Sequence, residues 1–174
     1  MSSFLNDVKT DLRHIWLSIQ FEIKKHIKRK RLLMTGILAI LLPTLFYTVP
    51  RAAGREFAST ADAFASSIIS FITLLIIISG AIFEGDAISG EQEKRTGLLL
   101  YSTPQRRNSI SVGKYLAAII ATFSVVSLYY LITTVEITTI FGADEISVNF
   151  IKSFLTALLY STSVVSLIYS LVAL

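Results

Sequence analysis

The segment Ala63–Phe83 reads AFASSIISFITLLIIISGAIF and carries no charged residue. A run of about 20 apolar residues forms a helix long enough to cross the ~30 Å hydrocarbon core of a bilayer. Three further uncharged blocks of similar length lie at 32–49, 115–135 and 154–174. The sequence therefore predicts an all-α integral membrane bundle, with about four transmembrane helices in a domain that spans residues 32–174.

The whole chain has the composition of a membrane protein. Of its 174 residues, 53% are hydrophobic and only 16% are charged, whereas soluble domains average about 25% charged residues. The mean hydropathy is +0.65. The chain has no Cys, which excludes disulfides, thiolate metal sites and cysteine nucleophiles.

Lys and Arg are distributed unevenly among the segments outside the spans. Eight lie in residues 1–31 and five in the loop 84–114, but only three lie in the two other loops. Because cytoplasmic segments carry the excess of Lys and Arg, we expect the N-terminus and the loop 84–114 to be cytoplasmic in a multi-pass protein of the plasma membrane. This topology accounts for the net charge of +4 without a nucleic-acid partner.

Residues 1–31 are predicted to form an amphipathic helix that ends in a basic cluster. Apolar residues recur every three or four positions, at Leu5, Val8, Leu12, Ile15, Trp16, Ile19, Ile23 and Ile27, which is a helical stripe. Such a helix with a Trp and a basic flank suits the plane of the lipid headgroups, and the cluster 24–31 would attract anionic lipids. The alternative is that the stripe packs against the protein's own spans or against a partner.

The loop 84–114 is long enough to contain a helix of its own. Acidic residues come first and basic residues later, which suits the helix dipole, and Ser89 is a candidate N-cap. Thr103-Pro104 would end this helix. The apolar run Leu98–Tyr101 needs cover on a cytoplasmic helix, so we expect it to dock on the membrane surface or on another protein.

The same loop contains an ordered pattern of acidic, apolar, proline and basic residues. Its members are Ile88, Ser89, Glu91, Glu93, Thr96, Leu98, Pro104, Arg107, Gly113 and Lys114. The pattern resembles the cytoplasmic coupling segment of ABC-2 type transporter permeases, which follows I-S-x-E-x-E-x-G-T-L with leucines, P-x-x-R and a G-K pair at the third span. Arg95 stands where the family usually has Gly, and Gly97 follows Thr96 instead of preceding it.

The resemblance implies the permease subunit of an ATP-driven exporter, paired with a separate ATP-binding subunit and with a second permease copy or paralogue. No Walker A pattern occurs in the chain, so ATP and Mg²⁺ would be bound by the partner subunit and no cofactor by this chain. The residues assigned to coupling are Asp86, Ile88, Glu91, Glu93, Thr96, Gly97, Pro104, Arg107 and Lys114. Family permeases usually have more spans than this chain, so we expect it to be incomplete.

Other functions were weighed against the exporter. The main alternative is a non-transporting membrane scaffold or anchor that recruits a cytoplasmic partner through the loop 86–107. An ion channel is disfavoured because no span carries a charged ring or a filter-like sequence. Glu91 and Glu93 favour surface ion pairing or docking over acid-base catalysis, so no enzyme activity is expected, and His14 and His26 lack metal-ligand spacing.

Polar and proline residues inside the spans have two interpretations each. Pro43 predicts a kink in the first span, which is either a packing feature or a hinge. Ser66, Ser70, Thr73, Gly80 and Glu84 recur on one helical face, which favours close helix packing over a polar permeation path. Glu136 is expected to be solvated at the membrane boundary.

Overall fold

The computed structural model of the chain describes residues 2–54, 60–93 and 107–173, with side chains at 10–54, 60–85 and 109–172. The long elements in these ranges are all α-helices. They are α1 (Ser2–Lys28), α2 (Arg31–Ala52), α3 (Ala61–Ile69), α4 (Ile72–Glu93), α5 (Arg107–Phe141) and α6 (Val148–Ala173), with a 3₁₀ turn at Ala143–Glu145. The predicted all-α fold class is confirmed.

Four stretches within the described residues are long and apolar enough to span a membrane. They are Arg31–Ala52, Ala61–Gly85, Ser109–Phe141 and Val148–Val172. Each overlaps one predicted span and starts earlier, because the helices continue past charged residues such as Lys114 and Lys152 that limited the predicted blocks. The chain is therefore a multi-pass membrane protein.

A tight turn at Arg29 and Lys30 separates α1 from α2. Lys30 has φ 58° and ψ 13°, a left-handed conformation that residues with a Cβ rarely adopt. The amide nitrogens of Arg29 and Lys30 donate to the carbonyls of Lys25 and Ile27, at 3.0 and 3.1 Å. The turn ends α1, which packs against α5 instead of continuing into α2.

The second span consists of two helices, α3 and α4, that meet at Ser70 and Phe71. The Phe71 amide donates to the Ile68 carbonyl at 3.1 Å, which is the tighter bond of a 3₁₀ turn. The hydroxyls of Ser66, Ser67 and Ser70 donate to backbone carbonyls three or four residues earlier, and such bonds bend helices. The Tyr129 hydroxyl of α5 also donates to Ile68, at 2.6 Å, which links the break to the centre of the bundle.

The 35-residue helix α5 lies at the centre of the bundle. At 1.5 Å per residue it is about 52 Å long, which exceeds the thickness of a bilayer core. It contacts α1, α2, α3, α4 and α6. Its buried face consists of small, β-branched and aromatic residues, among them Ala117, Ala118, Ala121, Val125, Val126, Tyr129 and Tyr130. The small residues let neighbouring backbones approach closely.

The outer surfaces of α2 and α6 are apolar. Their exposed large side chains include Leu33, Met34, Ile37, Leu41, Leu45 and Val49 on α2 and Leu155, Leu159, Leu167 and Leu171 on α6. Contiguous apolar surface of this kind is unsuited to water. It suits contact with lipid tails or with other membrane helices.

Two expectations about helix ends and breaks can be compared with the structure. α4 continues without interruption to Glu93, so Ser89 lies inside the extension of the second span. The prediction that Ser89 is an N-cap is wrong, because no residue between Glu84 and Ser89 ends the preceding helix. α2 remains helical through Pro43 and Pro50, and the hinge at Pro43 stays a prediction.

Candidate functional site

The predicted coupling residues that the structure describes lie at one end of the bundle, where α1 also lies. We call this the α1 end, and we call the end where α2 and α5 finish the far end. α4 finishes at the α1 end with Glu93, and α5 begins there with Arg107. These two helices therefore bracket residues 94–106, which are outside the described part of the chain.

The structure places the predicted coupling residues in three groups. Asp86, Ile88, Glu91 and Glu93 belong to the final turns of α4, Thr96, Gly97 and Pro104 lie outside the described residues, and Arg107 and Lys114 belong to α5. Lys114 is buried, with 8% of its surface exposed. Two spans thus continue directly into the predicted coupling segment, whereas Lys114 is enclosed by the chain itself.

Gly113 allows α1 to pack closely against α5. A Cβ atom added at Gly113 would lie 3.2 Å from the Ile15 carbonyl oxygen and closer still to the Ser18 side chain. Only Gly avoids this collision. The close packing of α1 against α5 therefore explains why a Gly precedes Lys114 in the family-like pattern. Ile19 is buried on the same side of α1, at 6% exposure.

The apolar stripe of α1 is divided between two surroundings. Ile19 is buried, and Ile15 and Ile23 are half-buried. Among the described side chains of this helix, the exposed large apolar ones are Leu12, Trp16, Leu17, Phe21 and Ile27. Packing on the protein's own helices is therefore confirmed for part of the stripe, and the rest remains available to lipid.

A buried polar junction lies between α1 and α4. Glu22, His26 and Glu84 are each at most 3% exposed. Glu22 is paired with Lys25 at 3.1 Å, and the His26 ring meets the Phe83 ring with centroids 5.0 Å apart. Neither carboxylate oxygen of Glu84 has a hydrogen-bond partner among the described residues. Burying an unpartnered carboxyl group is costly, so this junction is sensitive to how α1 and α4 pack.

The first residue of α2 also reaches the α1 end of the second span. Arg31 donates from Nη1 to the Ile82 carbonyl at 3.3 Å. Helices α1, α2, α4 and α5 consequently meet within a few residues of the predicted coupling segment. Any displacement of α4 at this end must change its contacts with α1 and α2.

Glu22 and His26 were not among the residues predicted for this site. The signal was present, because Ile15, Ile19, Glu22 and His26 are separated by four, three and four residues. Such spacing places them on one helical face. Two ionisable residues within an otherwise apolar face indicate a buried polar contact.

The polar stripe of the second span divides at the helix break. Gly80 and Glu84 are buried in α4, and a Cβ atom at Gly80 would lie 3.0 Å from Ile168 Cδ1. The packing interpretation therefore holds for Gly80. Ser66, Ser70 and Thr73 are exposed instead, so packing does not account for the part of the stripe nearer the far end.

Glu136 lies near the far end of α5 and is only 7% exposed. Its Oε2 atom has no hydrogen-bond partner among the described residues. The expectation that Glu136 is solvated is wrong, because α5 continues past it to Phe141. Among the described residues, no group of three or more His, Asp or Glu side chains is placed to hold a metal ion.

A comparison with known families bears on this arrangement. A family model described as ABC-2 family transporter protein matches residues 18–174. The match begins inside α1 and includes every described span. No match is found among curated proteins or among solved structures. Since the family model covers most of the sequence, the chain belongs to the ABC-2 transporter family.

Proposed function

We propose that this chain is the permease subunit of an ATP-driven exporter and that residues 86–107 couple it to a separate ATP-binding subunit. The family match supports a transporter permease. The coupling role is supported mainly by α4, which continues unbroken from the buried Glu84 to Glu93. Because a helix moves as a stiff unit over such short lengths, a displacement at Glu93 would reach the junction of α1 and α4.

In this proposal, ATP and Mg²⁺ are bound by the partner subunit, and its closure on ATP moves residues 86–107. α4 and α5 carry this motion into the spans, past Glu84 and the close contact at Gly113. The turn at Ser70 and Phe71 is the hinge at which α4 changes its angle to α3. A second permease chain, identical or paralogous, completes the path for the exported molecule.

The proposed orientation places the α1 end in the cytoplasm of a cell with this protein in its plasma membrane. Thirteen of the sixteen Lys and Arg residues lie in the sequence segments 1–31 and 84–114, which the positive-inside rule assigns to the cytoplasm. Exposed Lys24, Lys28 and Lys30 follow the exposed apolar side chains of α1. This combination supports contact between α1 and anionic lipid headgroups.

The coupling role can be tested by co-expressing the chain with its ATP-binding subunit and measuring ATPase activity in lipid nanodiscs. Glu91→Ala and Arg107→Ala should each weaken the complex about tenfold, because removing one partner of an interfacial charge pair costs ~1.4 kcal/mol or more. Asp144→Ala and Lys152→Ala remove exposed charges at the far end and serve as matched controls. These controls should leave both the complex and its ATPase rate unchanged.

A membrane scaffold is the second candidate function, since it would use the same loop to recruit a partner. Equal effects of the test and control variants would contradict the coupling role of residues 86–107. Failure of any ATP-binding subunit to co-purify with the unmodified chain would favour the scaffold over the exporter. An ATP-binding subunit whose ATPase rate is the same with and without this chain would also favour the scaffold.

A further inference from the structure

A groove opens at the far end of the bundle, between α3 and the start of α6. Its volume is about 570 Å³, which lies within the ~300–1,000 Å³ range of sites for small molecules. Its lining includes Asp62, Ser66, Ser70, Asn149, Phe150 and Ser153. From Asp62 to Ser70 the groove follows α3 for about 12 Å at the helical rise.

The hydroxyl groups of the groove present acceptor oxygens. Ser66 and Ser70 donate their hydrogens to the carbonyls of Ala63 and Ser66, at 3.0 and 2.8 Å. Ser153 donates to the Phe150 carbonyl at 2.6 Å. A hydroxyl has one hydrogen and two lone pairs. Ser153 also accepts from the Tyr130 hydroxyl at 3.2 Å, so the three hydroxyls offer lone pairs to a molecule in the groove, with one of those on Ser153 already used.

The charge of the lining also favours a ligand that donates hydrogen bonds. The carboxylate of Asp62 lines the groove, whereas Lys152 is exposed on α6 and is absent from the lining. The exposed charged residues described at the far end are three acidic ones, Asp62, Asp144 and Glu145, and two basic ones, Arg51 and Lys152. This surface therefore attracts cations, whereas the α1 end is strongly basic.

Amide groups at both helix N-termini beside the groove are already hydrogen-bonded. The Ala63 amide donates to Thr60 Oγ1 at 3.3 Å, and the Phe150 amide donates to Ser147 at its carbonyl and its hydroxyl. These amides are already satisfied and are not offered to an anion. Phe150 and Ile69 add apolar surface to the groove, which suits the hydrocarbon part of an amphiphile.

We infer that this groove binds an amphiphile with a protonated amine, whose ammonium group lies at Asp62 and the serine oxygens and whose apolar part lies against Phe150. The inference deepens the proposed export function by naming the class of exported molecule, and it rests on that function. The open groove lies at the outer end of the spans in the proposed orientation. An exported molecule would pass there before release.

Direct binding of a probe to the purified chain in lipid nanodiscs tests the groove without ATP or a partner subunit. Phenylbutylammonium is the probe, and phenylbutanol and phenylbutanoate are neutral and anionic analogues with the same hydrocarbon part. Binding is measured by titration calorimetry, with empty nanodiscs as the reference for partition into lipid. We expect phenylbutylammonium to bind more tightly than both analogues.

Two variants and a control connect this binding to the groove. Asp62→Asn should weaken phenylbutylammonium binding by up to about fivefold, because an exposed charge pair contributes ~0.2–1 kcal/mol. Ser66→Leu should abolish the preference for the ammonium probe by filling the groove. Asp144→Asn removes an exposed carboxylate outside the groove and should leave binding unchanged, and circular dichroism checks that each variant is folded.

Equal affinity for the three probes, or equal affinity of the Asp62→Asn variant and the unmodified chain, would overturn the inference. A preference that survives Ser66→Leu would overturn it as well. These outcomes do not depend on ATPase coupling. The groove and the proposed export function can therefore fail separately.

Discussion

Tyr129 shows the contribution of a single polar side chain to this fold. It is fully buried in α5, and its hydroxyl donates to the Ile68 carbonyl where α3 ends. The Ile68 carbonyl at this break accepts from the Phe71 amide at 3.1 Å, and the Tyr129 hydroxyl adds a second hydrogen bond in a region where lipid offers none. The Tyr129 hydroxyl therefore stabilises the break between α3 and α4 from a helix that is distant in sequence.

Tyr129→Phe should destabilise the protein by about 1 kcal/mol, because it removes one interhelical hydrogen bond within the membrane. The change is measured as a lower free energy of unfolding or a lower thermal midpoint in a fixed detergent. Tyr160→Phe is the matched control, since Tyr160 is 40% exposed on α6. Equal losses in both variants would mean that the Ile68 contact contributes nothing specific.

At the scale of elements, the packing of α1 against α5 decides what α1 can do. α1 contacts α5 through the face that contains Ile15, Ser18 and Ile19, and Gly113 permits the approach. The opposite side of α1 keeps exposed apolar residues, including Trp16 and Phe21. α1 therefore joins the bundle and also presents a surface that suits the lipid headgroups.

Gly113→Ala should loosen α1, because a methyl group at this position collides with Ser18 and Ile15. Overpacking of this kind costs ~1–3 kcal/mol. Hydrogen exchange should become faster in α1 and stay unchanged in α6. Gly85→Ala is the matched control, since no described atom from another part of the chain lies within 4 Å of its added Cβ, and it should not destabilise the protein. Unchanged exchange in α1 of the Gly113→Ala variant would argue against the close contact.

At the scale of the whole molecule, the two ends of the bundle carry opposite charge. Residues 1–31 and 84–114, the segments of the α1 end, contain thirteen basic and seven acidic residues in sequence, whereas the remaining segments contain three basic and five acidic residues. The formal charges are thus +6 and −2, which sum to the net charge of +4. This asymmetry underlies both the proposed orientation and the proposed affinity of the far-end groove for an ammonium group.

The orientation can be measured directly because the chain has no native Cys. Arg13→Cys and Asp144→Cys each place one thiol at an exposed position, at the α1 end and the far end. In intact cells, a membrane-impermeant maleimide should label the Asp144→Cys variant alone. After the membrane is permeabilised, both variants should be labelled. Labelling of the Arg13→Cys variant in intact cells would reverse the proposed orientation.

The number of spans and the resemblance to ABC-2 permeases follow from the amino-acid sequence alone. Long uncharged runs such as Ala63–Phe83 must form helices in a membrane, because each backbone polar group needs a partner within its own segment. This requirement concerns residues that are consecutive in the chain, so it can be recognised from the sequence. The distribution of basic residues and the pattern from Ile88 to Lys114 are also properties of consecutive residues.

Which helix faces are buried depends on how the helices pack against each other. Packing buries one part of the apolar stripe of α1 and leaves the other part exposed. It also buries Glu136 and Lys114, and it separates the exposed from the buried part of the serine-containing face of the second span at Ser70. Each of these outcomes depends on contacts between helices that are distant in sequence, such as Tyr129 with Ile68 and Gly113 with Ser18. Periodicity identifies a face of a helix, but only the neighbouring helices determine whether that face meets protein, lipid or water.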